Sequence, residues 1–114
     1  MAISELYVDA GTSISTTEYS LTNDSTTIAA QTADAVIQAI IDFANMVAGD
    51  QYEVKIYEKV YGGGAQRAIY HATLTGAQPA PLVTPSLIVM HGWDVTVKRL
   101  TGSDRSISWS IRTI

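Results

Sequence analysis

From Trp93 to Ile114, apolar and polar positions alternate with a period of two. Trp93, Val95 and Val97 alternate with Asp94, Thr96 and Lys98. After Thr101-Gly102-Ser103-Asp104, Ile107, Trp109 and Ile111 alternate with Ser106, Ser108, Ser110 and Arg112. A two-residue period turns one face of a strand to a core and the other to water. A glycine-containing turn between two such runs predicts a β-hairpin.

The same pattern recurs upstream. In residues 51–60, Tyr52, Val54, Ile56 and Val60 are predicted to face inward, and Glu53, Lys55 and Lys59 outward. Gly62-Gly63-Gly64 makes the turn, since glycine supplies positive φ without steric cost. Residues 67–75 return, with Ala68, Tyr70, Ala72 and Leu74 inward. Residues 78–85 hold all three prolines and read as a surface connection or a sheet edge. Leu87-Ile88-Val89-Met90 is apolar at every position, which predicts a strand covered on both faces.

Two segments are less regular. In residues 10–32, eleven of 23 positions are Ser or Thr, a composition compatible with disorder. Thr also forms strands, and Glu18–Thr22 alternates. The prediction is therefore a strand at residues 6–10, a second at about 14–21, a turn at Asn23-Asp24-Ser25 and a loop. Residues 1–22 could equally form an arm that orders against a neighbour. Residues 33–48 admit two readings. As a helix, Thr32 caps it, Gly49 ends it, and Val36, Ile40, Phe43 and Val47 form one stripe. As a strand, Ala35, Ile37, Ala39, Ile41 and Phe43 point inward, which leaves Val36 and Ile40 outside.

Seven or eight strands without a convincing crossover helix predict an all-β antiparallel sandwich of jelly-roll or immunoglobulin-like type. If residues 33–48 are helical, the class becomes α+β. With 114 residues the chain is read as one domain, 1–114. Charged residues are 16% against an ordinary quarter or so, so hydroxyl groups must cover much of the surface. The net charge of −4 and the lack of any extended basic cluster argue against nucleic acid. No cysteine is present, which excludes disulfides and thiolate metal sites and fits cytosolic synthesis. No signal-peptide pattern is read, and no apolar run nears the ~20 residues of a membrane helix, so a soluble protein is expected.

Candidate chemistry is sparse. His71 and His91 with Asp94 would make a minimal metal set, but one surface and one turn imidazole is the simpler reading. No G-x-S-x-G elbow surrounds any serine. The triple glycine runs into a strand rather than a helix, unlike a phosphate loop. Trp93 and Trp109 would suit a glycan platform if exposed, yet both fall on the apolar parity and read as core. Tyr57 lies on polar parity among Glu53, Lys55 and Lys59, and Tyr61 adjoins the glycine turn. Both are candidate partner contacts. Lys98, Arg99 and Arg105 form a small positive cluster near the last turn, a third candidate contact, and Asp104-Arg105 there could form a local ion pair.

Several stretches resemble a family of small structural proteins of tailed bacteriophages. They are Val47–Asp50 with Glu53–Val60, Thr84–Lys98 and Gly102–Arg112, and His91-Gly92-Trp93-Asp94 is the most specific block. The resemblance spans roughly residues 33–114 and favours a strand at 35–43. It implies no enzyme, no cofactor and no catalytic residue. It implies a virion component, foremost a capsid decoration (cement) protein that binds the major capsid protein or its own copies as a homo-oligomer, through sheet edges and the N-terminal segment. A head–tail joining or tail protein is the near alternative, and a glycan-binding sandwich the more distant one.

Overall fold

The structure, a computed structural model, describes residues 2–114. Nine strands follow one another: β1 (Ser4–Ile14), β2 (Tyr19–Ser20), β3 (Ala35–Asp42), β4 (Gln51–Lys59), β5 (Gln66–Thr75), β6 (Leu82–Val83), β7 (Leu87–Val89), β8 (Asp94–Thr101) and β9 (Arg105–Thr113). Among the described residues there is no helix, and so none long and apolar enough to cross a membrane. The fold is an all-β antiparallel sandwich of two sheets. The first, sheet A, runs β1-β9-β3, with β6 and β7 both against the far side of β3. The second, sheet B, runs β2-β8-β4-β5.

The two inward faces meet in one core. Sheet A contributes Ile37, Ala39, Ile41, Ile107, Trp109 and Ile111; sheet B contributes Tyr52, Val54, Ile56, Val95 and Val97, all buried. Residues 35–42 are thus a strand, with the predicted inward set apart from Ala35, which is only half-buried. The core demands it. A strand in the middle of sheet A, paired with β9 over Ile37–Asp42, buries Ile37, Ala39 and Ile41 and pairs its backbone on both sides.

The predicted C-terminal hairpin does not form. β8 pairs with β2 and β4, whereas β9 pairs with β1 and β3, so the two strands lie in opposite sheets. Alternation fixes which face of a strand is buried but not which strand lies beside it. Both strands carry an aromatic and β-branched inner face, and the turn folds these faces onto each other as an arch. Asp50 and Tyr52 of the facing strand hold the arch. The Asp50 carboxylate accepts the Ser103 N–H at 3.1 Å and pairs with Arg105 at 2.7 Å, and the Tyr52 hydroxyl accepts the Arg105 N–H at 2.7 Å. Gly102, at φ +90°, lies against Asp50, and a Cβ there would collide with it. The predicted Asp104–Arg105 pair is accordingly absent: Arg105 goes to Asp50 and Asp104 to Arg99, at 3.0 Å.

The β4–β5 hairpin forms as predicted, with three corrections. None of Gly62, Gly63 and Gly64 has positive φ. Gly64 donates to the Tyr61 carbonyl at 2.9 Å and lies under the Tyr61 ring, so the missing side chain matters there and not the backbone sign. Val60 is exposed, because β4 ends at Lys59 and Glu58 takes the inward place. Its carboxylate accepts the N–H groups of Met90 and His91 at 2.8 and 2.9 Å. A bulge at Ile69 shifts the register, which leaves Ala68 exposed.

Two further expectations change. Residues 4–14 form a single bulged edge strand that takes in Ile14 of the predicted second strand, and of the remainder only Tyr19–Ser20 forms a strand, on the edge of sheet B. The turn at Asn23–Ser25 is present, closed by Ser20 N–H to the Ser25 carbonyl at 2.7 Å. Within residues 2–22 the chain thus has two edge strands, 4–14 and 19–20; Met1, the first residue of the predicted arm, lies outside the described residues. Leu87–Met90 is not covered on both faces. β7 is a short edge strand that buries Val89 and leaves Ile88 79% exposed. The prolines at 79, 81 and 85 flank the β6 edge, as predicted.

Candidate interaction surface

The outer face of sheet B is mostly polar, and part of it is paired within the chain. Glu53 accepts from Lys55 at 3.3 Å and from the exposed His71 at 2.8 Å. Residues 18–29 form a strap over its β8 end. Asp94, buried at the first position of β8, accepts the Thr22 hydroxyl at 2.7 Å, the Ala29 N–H at 2.9 Å and the Val95 N–H at 2.8 Å. Burial raises the Asp94 carboxyl, and these donors oppose the rise. Asp94 is committed to the strap, and among the described residues no three metal-ligating side chains, the two histidines included, come together.

The five predicted contact residues are dispersed. Tyr57 is half-buried and donates its hydroxyl to Glu18 at 2.7 Å; burial and then that carboxylate push the phenol well above its ordinary value. Thr96 donates to the same Glu18 oxygen, so Tyr57 helps anchor the strap instead of standing free. Tyr61 is 66% exposed at the glycine turn, at one end of the sandwich. Arg99 and Arg105 are held by Asp104 and Asp50. Arg105 draws the Asp50 carboxyl down to about 2, aided by the Val47 and Ser103 N–H groups. Of the basic trio only Lys98, half-buried, lacks a carboxylate within ion-pair distance among the described residues. The trio is thus no free positive patch. Trp93 and Trp109 are 1% and 3% exposed and lie edge-on to Tyr7 and Tyr19, which withdraws their support from a glycan platform.

The outer face of sheet A differs. Strand registers align its outward positions in rows. One row holds Val8, Ser110, Ile40 and Val83; the next holds Glu5, Arg112 and Gln38. Beyond them Val36 faces Ile88 across β3 and β7, and Ile3, Val36 and Ile114 line a shallow groove of about 220 Å³. Ile3 is 71% exposed and Val8 62%. Single exposed apolar residues are ordinary, but here two apolar groups, Val8, Ile40 and Val83 on one side and Ile3, Val36, Ile88 and Ile114 on the other, share one sheet face across the polar row of Glu5, Arg112 and Gln38, a grouping that marks a contact surface. Sequence reasoning did not find this face. Its one signal was the outward parity of Val36 and Ile40, which becomes informative only once β1, β7 and β9 are known to be their neighbours.

The edges, by contrast, are blunted against strand addition. β1 has bulges between Glu5 and Tyr7 and between Asp9 and Thr12, β5 has one at Ile69, and β6 and β7 are two and three residues long beside prolines. Compared with models of known families, with curated proteins and with solved structures, the chain matches none at a significant level.

Proposed function

We propose that the chain is a non-enzymatic structural protein of a tailed-phage virion, a decoration (cement) protein that binds and stabilises the major capsid shell. The uncovered apolar face of sheet A carries this reading. A small sandwich whose edges are blunted, one of whose outer faces is mostly polar and the other of which carries two exposed apolar groups, is suited to pack against protein. The sequence stretches that resemble phage structural proteins supply the class of partner. Contact is assigned to the sheet face and not to the edges. A cryo-EM map of purified virions tests the proposal. Density for this chain at capsomer junctions on the outer shell, with sheet A toward a neighbour, is the expected result. Density at the portal or tail would move the protein to the joining or tail machinery, and absence from the particle would overturn the virion reading.

A further inference from the structure

In the His91-Gly92-Trp93-Asp94 block, Trp93 fills the core and Asp94 ties the strap, but His91 and Gly92 serve neither. With Thr32, Asp34, Lys59, Gly62 and Met90 they line an open cavity of about 420 Å³ where β4 ends and β8 begins. That volume lies within the roughly 300–1,000 Å³ of small-molecule sites. Its walls are fixed from behind. Glu58 holds the Met90 and His91 N–H groups, and the Lys59 N–H donates to the His91 carbonyl at 2.8 Å. Trp93 exchanges backbone hydrogen bonds with Gln31, and its indole N–H donates to the Ala33 carbonyl at 2.8 Å. Gly92 sits at φ +60°, and a Cβ there would lie 2.8 Å from Lys59 Cε. The glycine therefore lets the lysine stem cross the backbone at the cavity wall.

The polar side chains that line the cavity lack partners. Among the described residues Lys59 and Asp34 enter no ion pair, and the Thr32 hydroxyl and the His91 ring make no hydrogen bond. Lys59 is half-buried, so its ammonium gives up part of its hydration without compensation from within the chain. We infer that this cavity binds a hydroxylated carboxylate of monosaccharide size. Lys59 takes the carboxylate in a charge-assisted hydrogen bond, and Asp34 accepts from the ligand's hydroxyl groups. Thr32 and His91 can each donate or accept. Asp34 disfavours a bare oxyanion such as phosphate, which would stand against like charge, and Lys59 favours an acid over a neutral polyol. A uronic acid unit of a polysaccharide and a free open-chain sugar acid share this chemistry. None of the lining residues belongs to the apolar groups on sheet A, so the inference stands apart from the shell reading.

Titration of the ¹⁵N-labelled full chain with sodium glucuronate, sodium gluconate, glucose and sodium acetate, followed by amide chemical shifts, tests it. A sugar acid should move the Gly62, His91 and Gly92 amides saturably, with a Kd on the order of 1 mM. Tighter binding of glucuronate assigns the site to a ring unit, and tighter binding of gluconate to an open-chain acid. Glucose and acetate each lack half of the recognised groups and should bind about tenfold more weakly. Lys59→Met keeps the stem across Gly92 and removes the charge; it should weaken sugar-acid binding about tenfold and leave glucose binding unchanged. Asp34→Asn, at an exposed position, should weaken it about threefold with the remaining amide shifts preserved. No saturable shift up to on the order of 50 mM, acetate or glucose binding as tightly as the sugar acids, or unaltered binding in both variants would overturn the proposal.

Discussion

The two sheets have equally apolar inner faces and opposite outer ones. Over sheet B the chain lays its own polar strap, residues 18–29, tied by Asp94, Thr96 and Tyr57. Over sheet A it lays nothing, and Ile3, Val8 and Ile88 stand in water. The difference shows that the alternation rule is satisfied on one sheet and deliberately broken on the other. Asp94 and Thr96 occupy polar-parity positions and are nevertheless buried; Val36 and Ile40 also fall on the outward parity and are apolar. One departure is filled from within the chain, and the other awaits a partner.

The comparison breaks most completely at Asp94. Asp94→Ala leaves the Ala29 and Val95 N–H groups and the Thr22 hydroxyl without their acceptor in a buried setting. Unsatisfied buried donors cost about 1–3 kcal/mol each, offset in part by relief of a desolvated charge, so a net loss of about 3 kcal/mol is expected. Chemical denaturation measures it. Hydrogen exchange should show residues 20–31 opening while the sheet A amides keep their protection. Asp94→Asn, which retains one acceptor oxygen, should lose less.

At the arch the sheets are joined, and there a backbone change should rank next. Gly102→Ala puts a Cβ on a residue at φ +90° and into Asp50; about 2 kcal/mol of destabilisation is expected from the strain. A Tm shift with an unchanged strand signature would support it, and an unchanged Tm would remove Gly102 from the account of the arch.

The same site gives a pH dependence opposite to that of Asp94. The Asp50 carboxyl is held at about 2, below its ordinary 3.8, chiefly by Arg105. A depressed carboxyl contributes stability that is present above about pH 4 and is lost as pH falls toward 2. Asp94 is raised, so its contribution runs the other way and diminishes as pH rises through its folded value. Stability between pH 4 and 2 should fall in the wild type and fall less steeply in Asp50→Asn, as followed by urea titration at each pH.

Much of this was legible in the sequence, and the misses have a common physical cause. Period-two alternation identified the buried apolar residues of β4, β8 and β9, because it reports one strand's two environments, whereas for β3 it left a helix open and the resemblance favoured the strand. Alternation is silent on which strands adjoin, so β8 and β9 were predicted to pair across Gly102 when the turn instead carries the chain from one sheet to the other. Parity counting also fails across a bulge, as at Ala68, and at a strand end, as at Val60, which lies just past the end of β4. The candidate contacts fared according to reach. Arg99 and Arg105 are neutralised by carboxylates that the fold brings to them, Asp50 being 55 residues from Arg105. The apolar face was hidden for the same reason, since it is assembled from β1, β3, β6, β7 and β9 and from no continuous stretch.

The smallest expected effect sharpens the comparison most. Ile88→Ser and Val83→Thr remove apolar surface from the bare face, where both side chains are exposed and no strap covers them. In the dilute monomer each should change stability by no more than about 0.5 kcal/mol, because little area is buried on folding at these positions. Conserved monomer stability together with loss of binding to capsid shells, measured on the same samples, would mean that these side chains are retained for a surface outside the chain. A loss of several kcal/mol in the monomer would instead make them part of the fold, and the contrast between the two outer faces would disappear.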